Sequence, residues 1–187
     1  QFWLYVAHFY PHKNHCRLFE ALNELKTQSA HPWKLVLRGD PHGFERAVQE
    51  AVGRFDLKQD IIFLPRLEEH EMRALYGAAS ALVFPSLYEG GGIPVLEAMA
   101  SGCPVVASEI PPVREHAGDA ALYFDPASAG SIATALVDFQ KEGPEARAIR
   151  IAMGLERTKR FAPGPVVDRL VKAYRSAVSG RREGVKR

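Results

Sequence analysis

Six short apolar runs, separated by stretches of helical periodicity, constrain this chain more than any other feature. They are Phe2 to Phe9, Trp33 to Leu37, Ile61 to Leu64, Ala81 to Phe84, Pro104 to Ala107 and Ala121 to Phe124. The first of them, Phe2 to Phe9, is a continuous apolar and aromatic run, the mark of a strand buried on both faces. After the first run, Leu18, Phe19, Leu22 and Leu25 recur at helical spacing. Further helices are expected over Phe44 to Phe55, over Glu68 to Gly77, after Pro94, and after the proline-stiffened turn Glu109 to Val113. Three more are expected over Ser128 to Gln140, Glu145 to Phe161 and Pro165 to Ser179. Strands alternating with helices give an α/β protein: a three-layer α/β/α, Rossmann-like domain with a six-stranded parallel sheet. Such short connections make right-handed crossovers. Ligands bind these sheets beyond the carboxyl ends of the strands, near the point where strand order reverses. The turns His8 to Lys13, Pro65-Arg66-Leu67 and the loop at Glu89 should therefore converge on one edge.

The richest of these turns reads Glu89-Gly90-Gly91-Gly92-Ile93-Pro94-Val95-Leu96-Glu97. Proline favours the first turn of a helix, and Leu96, Ala98, Met99 and Ala100 continue it. The order is strand, glycine loop, helix N-terminus. Main-chain amides there can approach a ligand closely, and the helix start adds partial positive charge, so an anion such as phosphate suits the place. Glu89 stands at the loop mouth and Glu97 one turn into the helix, outside the apolar face formed by Val95, Leu96, Met99 and Ala100. Carboxylates repel a bare phosphate but accept from hydroxyls beside one. A plain turn with a dipole-favouring Glu fits the same spacing. Lys13 lies at or before the first turn of its helix, where the dipole disfavours a cation. A bound anion would relieve that conflict, and so would full solvation of the side chain at a loop tip.

Composition removes several function classes. A net charge of +2 over 187 residues argues against a nucleic-acid surface. No apolar run is long enough to cross a membrane. No signal peptide is visible, yet the chain starts inside an apolar run, so an upstream portion is expected. Cys16 and Cys103 sit in apolar context and read as reduced core residues of a cytosolic protein. No Cys/His spacing for zinc occurs, and His12 and His15 read as surface residues rather than metal ligands. Residues 1 to 180 read as one domain, with Arg181 to Arg187 as a solvated, disordered tail.

The run Glu89 to Ser108, continuing through Ala98-Met99-Ala100-Ser101-Gly102-Cys103-Pro104-Val105-Val106-Ala107, resembles the signature of glycosyltransferase family 4. Leu4-Tyr5-Val6 with Pro11 and Lys13-Asn14 resembles that family's first donor-side strand and loop. Phe84-Pro85-Ser86 precedes the signature, and Ala117 to Pro126 resembles the segment that follows it. Members are retaining, nucleotide-sugar-dependent enzymes with the two-domain GT-B fold. The resemblance implies that this chain is the C-terminal, donor-binding half, whose partner is a missing N-terminal acceptor domain.

It further implies that Glu89 contacts the transferred sugar and Glu97 the ribose hydroxyls. Lys13 would bind the diphosphate together with His8 and the amides of Gly90, Gly91, Gly92 and Ile93. Arg66 and Leu67 would line the base pocket. The absence of an Asp-x-Asp pair agrees with transfer that needs no metal or other cofactor, and membrane contact would be peripheral at most, at the inner face. The chain departs from the family in three places. Ala7-His8 stands for the usual Gly-Arg, and a histidine is only partly charged near neutral pH, which weakens donor affinity or makes it pH-dependent. Gly91 stands for the usual aromatic, and Arg66 for the usual Gly. A catalytically inert nucleotide-binding or scaffold domain is the main alternative. A dehydrogenase is disfavoured because no G-x-G-x-x-G follows the first strand. A two-component regulator is disfavoured because no acidic cluster stands at the strand ends.

Overall fold

A computed structural model describes residues 1–28 and 33–183. The six expected strands are β1 (Phe2–Val6), β2 (Lys34–Arg38), β3 (Ile61–Leu64), β4 (Ala81–Phe84), β5 (Val105–Ser108) and β6 (Leu122–Phe124). All pair in parallel, in the order β3-β2-β1-β4-β5-β6. The order therefore reverses between β1 and β4. Leu4 pairs with Val36 on one side and Leu82 on the other. The central strands β4 and β5 are buried at every position, as a sheet covered on both faces requires.

The helices are α1 (His15–Gln28), α2 (Glu45–Arg54), α3 (Glu69–Ala78), α4 (Ile93–Ala100), α5 (Pro111–Ala117), α6 (Ala129–Lys141), α7 (Pro144–Thr158) and α8 (Pro163–Glu183). α1 packs on α6 and α2, while α4 packs on α3, α5 and α7. These two groups make the outer layers. Leu18, Phe19 and Leu25 of α1 are fully buried, as their spacing implies. Ser128 caps α6, its hydroxyl accepting from the Ser131 amide at 3.1 Å.

Several expectations need correcting. The first strand ends at Val6 and not Phe9. The Phe9 amide still reaches Asp40 O at 2.9 Å, but the Tyr10 amide turns back to His8 O at 3.0 Å, which ends the ladder. β3 is an edge strand, with Ile62 and Phe63 exposed. The buried face of α4 uses Val95, Ala98 and Met99, and Ala100 is exposed. α8 runs to Glu183, past the expected end at Ser179 and into the expected tail; residues 184–187 lie outside those described. Both cysteines are free; burial pushes the Cys103 thiol up to about 12.

Asn14 fastens the strand exits together. It holds a left-handed conformation, φ 64°, and its side-chain amide donates to Pro85 O at 3.0 Å and Pro126 O at 2.8 Å. One side chain thus ties the exits of β1, β4 and β6. Asn14→Gly keeps the backbone conformation, loses both bonds, and should cost about 2–3 kcal/mol. Asn14→Ala should cost about 1 kcal/mol more from left-handed strain. Urea unfolding of the two variants checks this order.

Candidate functional site

The switch point between β1 and β4 gathers the leading candidates. β1 leads through a 3-10 turn, Pro11–Lys13, to α1, and β4 leads through the glycine loop to α4. The two loops are joined by the Leu87 amide, which donates to His12 O at 2.8 Å. There the Lys13 Nζ donates to Glu89 Oε1 at 2.6 Å, with the two side chains only 17% and 9% exposed. The ammonium also stands 6.0 Å from the centre of the Phe84 ring. The conflict of a cation near the start of α1 is thus met by the protein's own carboxylate. Lys13 keeps donor capacity for a second partner, since an ammonium has three hydrogens.

The helix start in the same loop carries unpaired amides, with Gly92 itself buried. Gly92, at φ 61°, forms the N-cap of α4 in a left-handed conformation that a side chain would strain. Among the described residues, the main-chain amides of Gly91, Gly92 and Ile93 donate to no protein acceptor. These are the orphan donors of a helix N-terminus, and their dipole favours negative charge. Gly90 and Ile93 are exposed at the same loop.

Glu97 lies farther along α4, exposed, and accepts from the Tyr76 hydroxyl at 2.9 Å. It lines a cleft of about 520 Å³ with Leu67, Met72, Tyr76 and Arg73. Leu67 and Glu97 are therefore brought together as expected. Arg66 is exposed and is not among the cleft's lining residues. Burial, then the Glu97 carboxylate, pushes the Tyr76 phenol far up, so it remains a donor to that carboxylate.

One histidine differs from its expected place, and a second has its polar partner on another strand exit. His15 is fully buried and not a surface residue. Its ring lies 4.9 Å from Tyr5 and 5.0 Å from Phe9, because the helix start it occupies tucks beneath the β1 exit. Burial first, then the neighbouring Lys13 ammonium, pushes it down to about 3. His8 is exposed, and its Nδ1 accepts from the Asp40 amide at 3.1 Å. Its polar partner is thus on the β2 exit.

Sequence reasoning missed Tyr5, Tyr76, Asp40 and His42. Tyr5 donates its hydroxyl to Lys13 O, which steadies the lysine loop from inside the core. A tyrosine in a fully buried strand was the available signal, since its hydroxyl needs a partner. Asp40 and His42 join His8 only through the β1–β2 register, which local spacing does not display.

A parallel sheet in this order, with a lysine and unpaired helix-start amides at its switch point, defines a domain of the doubly wound class. The chain belongs to the glycosyl transferases group 1 family, whose model matches residues 1–153. It is 31% identical over 172 residues to the O-antigen chain mannosyltransferase B of Escherichia coli, covering 92% of this chain and 45% of the relative. It is 34% identical over 125 residues to the O-antigen chain mannosyltransferase RfbU of Salmonella typhimurium, covering 67% of this chain and 34% of the relative. The chain thus spans less than half the length of these curated relatives.

Among solved structures, an α,α-trehalose-phosphate synthase (UDP-forming) from Burkholderia vietnamiensis superposes with a TM-score of 0.88 at 16% identity, over 97% of this chain and 45% of that one. The C-terminal domain of a glycosyl transferase group 1 family protein from Francisella tularensis superposes with a TM-score of 0.69 at 24% identity, over 84% of each chain. These likenesses place the fold among GT-B, Rossmann-like domains.

Proposed function

We propose that this chain is the C-terminal, donor-binding half of a retaining, metal-independent glycosyltransferase of the family 4 kind. Its donor is a nucleoside-diphosphate sugar, with GDP-mannose the first to test because the two relatives above are named mannosyltransferases. Its acceptor is a glycan or lipid-linked glycan of cell-surface polysaccharide synthesis, as the O-antigen names of those relatives suggest. The partner is an N-terminal acceptor domain, in keeping with the 45% share of the first relative that this chain spans. The exposed apolar row Val167, Leu170, Val171, Tyr174 and Val178 on α8 suits contact with another domain. The place of action is the cytoplasm, with peripheral contact at the inner membrane face; no helix of the described residues is long and apolar enough to cross a membrane.

The observation that carries this reading is the 2.6 Å Lys13–Glu89 pair with the unpaired amides at the start of α4. The anomeric C–O bond breaks, and the departing diphosphate oxygen takes the electron pair. Lys13 and the α4 amides stabilise that charge where it develops. The acceptor hydroxyl bonds to the anomeric carbon on the face just vacated and passes its proton to the departing oxygen. Glu89 holds the sugar near the reacting carbon, and Glu97 takes the ribose hydroxyls at the cleft.

Transfer tests the reading in the complete two-domain enzyme with labelled GDP-mannose. Glu89→Gln should lower turnover by about 100-fold or more while donor binding stays within a few-fold. Unchanged turnover with intact binding would favour the inert nucleotide-binding alternative. Glu97→Ala should instead weaken nucleotide affinity by about 10- to 100-fold, measured by calorimetry on this chain.

A further inference from the structure

We propose that the exits of β1 and β2 form a binding site for a divalent transition metal of the zinc class, held by His8, Asp40 and His42. One ligand atom from each of these side chains lies within 4.8 Å of the others. His8 Nδ1 stands 3.6 Å from Asp40 Oδ2, and the His8 and His42 rings meet edge to face at 4.5 Å. Bringing three nitrogen and oxygen donors to about 2.0–2.2 Å from one ion then needs only a small closure.

The scaffold behind these side chains is rigid. The Ala7 amide donates to Arg38 O at 2.9 Å and the Phe9 amide to Asp40 O at 2.9 Å; the bond from the Asp40 amide to His8 Nδ1, at 3.1 Å, would give way to an ion bound at that nitrogen, which takes the same lone pair. This close approach depends on Gly39, where an added Cβ would stand 1.7 Å from Ala7 O. Arg38 holds the other carboxylate oxygen of Asp40 at 3.2 Å, which orients Oδ2 toward His8. A carboxylate steadied from behind in this way is the usual outer support of a metal ligand. His42 sits at φ 42°, a left-handed conformation that a histidine adopts at a cost, and this conformation accompanies its turn toward His8.

The donor set selects the metal. Two imidazoles and one carboxylate suit zinc and its first-row neighbours, whereas magnesium and calcium prefer oxygen alone. His8 and His42 are exposed, so an ion can enter and a water can take the remaining position. Bound there, the ion would lock the β1 and β2 exits to each other on the edge that carries Lys13. The proposal stands on this geometry and not on the sugar-donor reading, and it routes no step of transfer through the ion.

Calorimetric titration of zinc chloride into this chain, free of affinity tag and treated with chelator, tests it at pH 7.5. One ion should bind per chain. His8→Ala and His42→Asn should each weaken binding by at least about tenfold. Asparagine tolerates the left-handed conformation, so His42→Asn should keep the fold. His12→Ala, in the neighbouring turn, should bind as the wild type does. No saturable binding, or binding that survives both substitutions, overturns the proposal. Loss of binding in His12→Ala alone also overturns it.

Discussion

Lys13→Ala should destabilise the domain by about 3–5 kcal/mol, and Glu89→Ala should do the same, while the double substitution should cost clearly less than the sum. The reason is burial. The two side chains are 17% and 9% exposed and 2.6 Å apart, so either charge left alone is a nearly dry, uncompensated ion. Removing both takes away that penalty and leaves mainly a packing loss. Urea unfolding of the four proteins in one buffer gives the coupling directly. A surface pair would show singles within about 1 kcal/mol of the wild type, and that result would contradict the geometry described here. The same cycle separates stability from binding. Lys13→Ala should lose nucleoside-diphosphate affinity even where it remains folded, whereas Glu89→Ala should lose little of it.

His15 should give the largest pH effect. Burial and the Lys13 ammonium push it down to about 3 in the fold, against about 6.5 in an unfolded chain. Between these values the unfolded chain binds a proton that the native chain refuses. Stability from this group is therefore full above pH 6.5 and falls as pH drops toward 3, by about 1.4 kcal/mol per pH unit. Between pH 7.5 and 5.0 the loss amounts to about 2 kcal/mol. His15→Phe, which fits the aromatic surroundings of Tyr5, Phe9 and Phe19, should remove that slope. Depressed carboxylates such as Asp60 also contribute to acid sensitivity, so the informative quantity is the difference between wild type and variant. Equal slopes in the two proteins would show that His15 protonates freely in the fold.

The sheet was legible in the sequence because each strand is a nearly unbroken apolar run, and burial on both faces needs no alternation. The edge strands β3 and β6, with exposed or half-buried positions, depart from that logic. The placing of Lys13 and Glu89 at one edge of the sheet was legible because each follows a strand, and topology sends such turns to one edge. That they pair with each other was not legible, since 76 positions separate them and no local pattern encodes the contact. His15 was misplaced for a related reason. A polar residue at a helix start reads as exposed, and only the tertiary path of the β1 exit over α1 buries it. The His8–Asp40–His42 cluster was hidden by the same distance along the chain, and Gly39 was the lone local hint of a close approach. Arg66 was placed by resemblance, and its turn delivers Leu67 to the cleft instead.

The central claim is that a nucleoside diphosphate seats against Lys13 and the start of α4. Amide NMR of the isotopically labelled chain during titration with GDP tests it most directly. The largest shifts should fall on Lys13, Gly91, Gly92 and Ile93, with smaller ones at Leu67 and Glu97, and Lys13→Ala should abolish the first group. Saturable shifts that leave Gly91 to Ile93 unmoved, or that persist in Lys13→Ala, would contradict it.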